Sequence, residues 1–209
     1  MNSSAYQKAQ REGQDVVRTA ILDAATHLLL DEGPAALTVR RISAEVGCST
    51  KVIYTLFGGK DGLTEALWLE GFARFERRLL AALHGPDAMT SLRAGIDTYR
   101  ACALDQPAYY RVMFQGRGSM PGFTPSPEGR QEAKRSFHLL VAGVRRCLAE
   151  GLLHGPSDVE IADVLWMAMH GAVSLELAGY FDRAEAEQRY RLLCDSVLSP
   201  FLTHDERTI

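Results

Sequence analysis

The chain lacks most of what other functional classes require. Its four cysteines, Cys48, Cys102, Cys147 and Cys194, lie far apart and form no CxxC pair. That excludes a disulfide framework or a cysteine-built zinc site, and each is expected to serve as a small buried apolar residue. Cys48 has no resolving thiol nearby in sequence, which argues against a redox switch. No apolar run approaches the roughly 20 residues that span a bilayer. The opening stretch MNSSAYQKAQREGQDVV has no signal-peptide core. A cytoplasmic protein with no membrane partner is expected. An excess of positive charge is missing too, since 23 Lys and Arg face 26 Asp and Glu. Within residues 1–62 the two signs cancel, so charge is silent about nucleic acid and a motif has to carry any such reading. No Ser/His/Asp set, HExxH or nucleotide loop is present. Gly116–Arg117–Gly118 follows a helical stretch and not a strand, so it is not a phosphate loop. No enzyme, metal or cofactor is expected.

What remains is helical. With 209 residues, the chain can bury one sizeable core and a smaller satellite. Residues 1–14 are polar and without an apolar stripe, and read as a flexible tail or an arm offering Lys8 and Arg11 to a minor groove. Val17, Ile21, Ala24, Ala25 and Leu28 recur at helical spacing over Asp15–Glu32, and Gly33–Pro34 ends that helix. A long helix is expected over Lys60–Leu83, with Leu63, Leu67, Phe72, Phe75 and Leu79 inward. Asp87 can cap a helix carrying Leu92, Ile96, Tyr99 and Ala103. Pro107 opens a short one, QPAYYRVMF. The Pro- and Gly-rich run Gly116–Pro127 is a loop. Three helices follow, over Glu128–Glu150, from the capping box Ser157-x-x-Glu160 to Phe181, and over Ala184–Leu202. The fold class is all-α, with about nine helices.

The stretch that organises the rest is TVRRISAEVGCSTKVIYTLFGGK, Thr38–Lys60. Ile42 and Val46 share one face of a first short helix. Gly47 stands where a left-handed residue closes the turn. Ser49 can cap a second helix, whose Ile53 and Phe57 face the same interior. Thr50, Lys51, Tyr54 and Thr55 are left on the outward face. This is the arithmetic of a helix-turn-helix, in which the second helix enters the major groove, with a solvated helical hairpin as the alternative.

With Val17–Gly33 before it and Asp61–Leu69 after it, this run resembles the DNA-binding domain of the TetR family of transcriptional regulators. The Gly47…Tyr54…Phe57…Lys60 spacing carries the resemblance. It implies that Tyr54 and Lys60 bind phosphates and that Thr38 and Arg40 sit at the groove edge, giving a DNA-contact set of Thr38, Arg40, Ser49, Thr50, Lys51, Tyr54, Thr55 and Lys60. Cys48, Lys51 and Val52 depart from the usual family pattern, at positions that bear on the operator sequence. Further on, Trp166-x-x-x-His170-Gly171 resembles the Trp-His-Gly signature of one C-terminal domain type in that family. The resemblance implies a helix-turn-helix domain over residues 15–62, joined by a continuous helix to a larger ligand-binding and dimerisation domain over 63–209. It implies a homodimer through the last two long helices, with Gly171, Ala172 and Gly179 allowing close approach. It also implies a cavity for an unknown small-molecule effector, for which Tyr99, Tyr110, Met113, Phe114, Phe137, His138, Trp166, Met167 and His170 are the candidate lining. The expected function is a repressor released from a palindromic operator on double-stranded DNA by an apolar or amphipathic ligand. The rival readings are an enzyme in that cavity or a DNA-independent helical interaction protein.

Overall fold

Every regular element among the described residues is helical, as the 3.6-residue spacing of the apolar positions predicts. The computed structural model describes residues 3–114, 120 and 122–203. The Gly116–Arg117–Gly118 turn and most of the loop's first half lie outside the described residues. Among those described there are nine α-helices: α1 (Ser3–Asp31), α2 (Val39–Val46), α3 (Thr50–Phe57), α4 (Lys60–Ala82), α5 (Ala88–Asp105), α6 (Pro107–Phe114), α7 (Pro127–Ala149), α8 (Asp158–Leu177) and α9 (Arg183–Leu198). Short 3-10 turns cover Pro34–Ala36 and Ser199–Phe201.

Helix α1 begins at Ser3, twelve residues ahead of the expected start, so residues 3–14 are helix and not an irregular tail. The reason is composition: Ala5, Gln7, Lys8, Ala9, Gln10, Arg11 and Glu12 are good helix formers, and Lys8 and Glu12 pair at 3.9 Å across one turn. Residues 5–17 are nevertheless exposed all round, Val17 included. A helix that buries nothing leaves no apolar period to read.

The chain divides into two compact units. The first comprises Met1–Gly71 and Ala108–Arg130, the second Phe72–Pro107 and Gln131–Ile209, and α4 supplies residues to both. This differs from the expected division at 62/63, because α6 belongs with the first unit. The Tyr109 hydroxyl donates to Asp23 Oδ1 of α1 at 2.8 Å. Trp68 Nε1 of α4 donates to the Met113 carbonyl at 3.1 Å. A Cβ on Gly71 would come within 2.6 Å of Met113 Cγ, so the missing side chain admits the crossing. Ile21, Leu22, Ile42, Ile53, Leu63, Leu67, Tyr109 and Val112 are all buried in this unit. At about 1.5–3 kcal/mol for each large apolar side chain, such burial is what holds three short helices together.

In the second unit, Leu92, Ile96, Tyr99, Val141, Val144, Ile161, Leu165, Met169, Val173, Tyr190 and Leu198 form the core. Asp87 accepts from Thr90 N at 2.7 Å and Ser157 from Glu160 N at 3.1 Å, the two expected caps. A third, Asp182 accepting from Glu185 N at 2.8 Å, sets the start of α9. Helix α8 stops at Leu177, short of the expected Phe181, because the chain turns at Gly179. Arg100 reaches Glu176 through two hydrogen bonds of 2.8 and 2.7 Å. Their side chains are only 11% and 6% exposed. Burial pushes the thiols of Cys102 and Cys194 up to about 11 and about 12, so neither is a thiolate at neutral pH.

Candidate nucleic-acid interface

The candidate surface is assembled from α2, α3 and the start of α4 in the first unit. Thr38 is extended and caps α2, its hydroxyl accepting from Arg41 N at 3.1 Å. Helix α2 ends at Gly47, which sits at φ 74°, ψ 26°, the left-handed conformation that glycine adopts without cost. Two residues later α3 begins. Ser49 occupies its N-cap position, but the hydroxyl makes no cap hydrogen bond. The expected capping role is therefore corrected: Ser49 is exposed, and its hydroxyl bonds none of the α3 amides.

Ile42 and Ile53 are fully buried where α2 and α3 cross, and Val46 and Phe57 are half-buried beside them. That inward set fixes which face α3 turns outward. Thr50, Lys51, Tyr54 and Thr55 are exposed together, with Tyr54 57% exposed. Thr38, Arg40 and Lys60 are exposed as well, so all eight residues singled out in the sequence stand at the surface of this unit. Lys60 opens α4, where unpaired amides and the helix dipole add partial positive charge.

The sequence reading passed over Arg41. Its guanidinium reaches Glu32 at the end of α1 (2.6 Å) and Glu45 of α2 (2.7 Å). The hydrogen bond from Arg41 holds the Glu32 carboxyl below its ordinary range. Those same bonds raise Arg41 itself. Arg41 thus ties α1 to α2, while its neighbour Arg40 faces outward. The four-residue spacing to Glu45 was the legible signal; the partner nine residues back was not. Arg18 of α1 lies over the Phe57 ring at 5.5 Å and 3.9 Å from Glu70.

The candidate effector-lining residues divide between the two units. Tyr110, Met113 and Phe114 belong to the first. In the second, Tyr99 and His170 Nδ1 lie 3.1 Å apart, and the His170 ring is 5.8 Å from Trp166, which is 5.9 Å from Phe137. Burial lowers the pKa of His170, and its Nδ1 shares a hydrogen bond with the Tyr99 hydroxyl. Met167 is 60% exposed and His138 is exposed too. Both fall on the outer faces of their helices, away from Leu165 and Met169 or Val141 and Val144.

Residues 21–67, which hold the whole turn, match the family described as "Bacterial regulatory proteins, tetR family". Residues 92–197, more than half of the chain, match "Tetracyclin repressor-like, C-terminal domain". The chain belongs to the TetR family. It is therefore a DNA-binding transcriptional regulator. Among solved structures, this TetR-family chain is similar to a protein of unknown function from Rhodococcus sp. RHA1, with TM-score 0.77 and 23% identity over 90% of this chain and 96% of that one. It is similar to a TetR-family regulator from Marinobacter aquaeolei VT8, with TM-score 0.73 and 20% identity over 93% and 100%. It is also similar to SmeT, the repressor of the Stenotrophomonas maltophilia multidrug efflux pump SmeDEF, with TM-score 0.68 and 18% identity over 90% and 91%. At these identities the likeness is one of fold. No curated protein matches the sequence. No described helix is long and apolar enough to cross a membrane.

Proposed function

We propose that the protein is a homodimeric repressor, acting in the cytoplasm, that holds a palindromic operator and leaves it when a small apolar or amphipathic ligand fills the second unit. The observation that carries this reading is the outer face of α3, where Thr50, Lys51, Tyr54 and Thr55 are exposed together above the buried Ile53. Short hydroxyl and cationic side chains there reach base edges and phosphates at once. In this reading Thr38, Arg40, Tyr54 and Lys60 grip the backbone. A two-fold dimer would set half-sites about 34–36 Å apart, or multiples of that.

Dimerisation is supported by the outer faces of α8 and α9. Met167, Gly171 and Leu175 recur every four residues on α8, and Leu192 and Leu193 stand on α9, all exposed. Apolar groups so aligned on neighbouring helices suit pairing with a second copy. The effector reading is supported by the run Tyr99, His170, Trp166 and Phe137, an aromatic surface with one polar pair, the usual chemistry of a small-molecule site. Release would follow from a coupling of about 1–3 kcal/mol, which weakens operator binding roughly 5–150-fold.

The test is selection from randomised duplex DNA, followed by titration of the enriched site at several salt concentrations. One palindrome is expected. Lys60→Ala should weaken binding to all sequences and lower the salt slope by about 0.9. Absence of any enriched palindrome, or an unchanged slope in Lys60→Ala, would overturn the reading.

A further inference from the structure

Within the first unit a cavity of ≈ 440 Å³ opens beside the start of α4. Its floor is the first two turns of that helix, from Lys60 to Glu65. One wall is Pro34 and Leu37, in the turn between α1 and α2, and the other is formed by Met120, Phe123 and Thr124. The lining is graded. Leu37, Met120 and Thr64 are buried, Pro34 and Phe123 half-buried, and Lys60, Asp61 and Thr124 exposed. An apolar inner end and a polar rim, in a volume within the roughly 300–1,000 Å³ of small-molecule sites, make a receptacle for an amphipathic molecule.

The rim selects the head group. Asp61 and Glu65 stand four residues apart and both line the cavity, which puts two carboxylates one helical turn from each other. Glu65 is held in place: its Oε1 accepts from the Ser126 amide at 3.1 Å and from the Ser126 hydroxyl. The Gly129 backbone also packs so closely that a Cβ there would lie 2.4 Å from the same oxygen. Among the described residues no buried side-chain oxygen is left without a partner. Glu65 itself is half-buried and lines the cavity. Thr64 is occupied, donating to the Lys60 carbonyl at 2.9 Å. Among the described lining residues the two carboxylates face one ammonium, on the long flexible stem of exposed Lys60, which can swing away into water.

We propose that this cavity binds a small amphipathic organic cation. Its ammonium lies between Asp61 and Glu65, and its aromatic or aliphatic body lies against Leu37, Met120 and Phe123. The site is in the first unit, distinct from the aromatic run of the second.

The chain has two tryptophans, so Trp166→Phe leaves Trp68 as the sole emitter, its ring 5.9 Å from Phe123. Titrating phenethylammonium into that full-length variant should change Trp68 emission saturably. Glu65→Gln keeps an oxygen acceptor for Ser126 while removing the charge, and should weaken binding about tenfold. Asp61→Asn, at an exposed position, should weaken it in the same direction and guards against a folding defect in the first variant. 3-Phenylpropanoate, with the same ring and the opposite charge, should give no saturable change. Failure of phenethylammonium to saturate, unchanged affinity in both variants, or equal binding of 3-phenylpropanoate would each overturn the proposal.

Discussion

Gly62→Ala tests whether the join between α3 and α4 fixes the reading helix. An added Cβ at Gly62 would lie 1.9 Å from the Phe57 carbonyl oxygen and 3.1 Å from its carbon, where real Cβ atoms essentially never approach below 3.0 Å. The shortfall is 1.1 Å, and the opposing atoms are backbone, so no rotamer relieves it. Phe57 is the last residue of α3, so the relief has to come from displacing the end of that helix, with Tyr54 and Thr55 upon it. Overpacking of this kind costs about 1–3 kcal/mol. The better helix propensity of alanine returns about 1 kcal/mol. The net is a loss of up to about 2 kcal/mol, or a Tm lowered by up to about 8 °C. The larger effect falls on DNA. Each base-edge contact is worth about 1–3 kcal/mol and tolerates little displacement, so operator affinity should fall at least about tenfold. Affinity for random duplex, held by phosphates, should barely move. Circular-dichroism melts and parallel titrations of operator and random DNA measure both quantities. A raised Tm together with full operator affinity would refute the reasoning, because helix propensity alone would then govern the site.

Other outcomes follow from the same contacts. Arg100→Ala strands the buried Glu176 carboxylate and should cost about 3–5 kcal/mol in denaturant unfolding; a loss within 1 kcal/mol would show that the pair is solvated. Arg41→Met should lower operator affinity with an unchanged salt slope, because the guanidinium serves Glu32 and Glu45 instead of phosphates; its cost in stability should be small, since the pairs are exposed. The folded-state pKa of His170 is depressed from 6.5. Its contribution is therefore fully present above about pH 6.5 and lost as pH falls toward the folded value. His170→Phe should flatten that part of the stability profile, and an identical profile in the variant would contradict the assignment.

The helix-turn-helix was legible because its signals are local. Gly47, the Ile42–Val46 and Ile53–Phe57 pairs, and the outward Thr50–Thr55 face all fall within one short window. The caps at Asp87 and Ser157 were legible for the same reason. What escaped was either featureless or distant. Residues 5–17 form a helix without burying a side chain, so they show no period. The attachment of α6 to α1 and α4 rests on Tyr109–Asp23 and Trp68–Met113, partners separated by 86 and 45 residues. His138 and Met167 have the right chemistry for a ligand pocket and the wrong helical phase, which the type of residue alone does not reveal.

The interleaving of Ala108–Arg130 with the first 71 residues has a consequence for engineering. The DNA-reading head is not a cassette that can be cut from the N-terminus and grafted onto another regulator's sensor. A fragment ending at Gly71 would leave Asp23, Trp68 and Gly71 facing water in place of Tyr109 and Met113, so a working chimera needs two splice sites and must carry α6 along. The same arrangement changes how a mutational map should be read. Substitutions at Tyr109 or Val112, deep in what sequence position would label the sensor, belong with defects of the reading head.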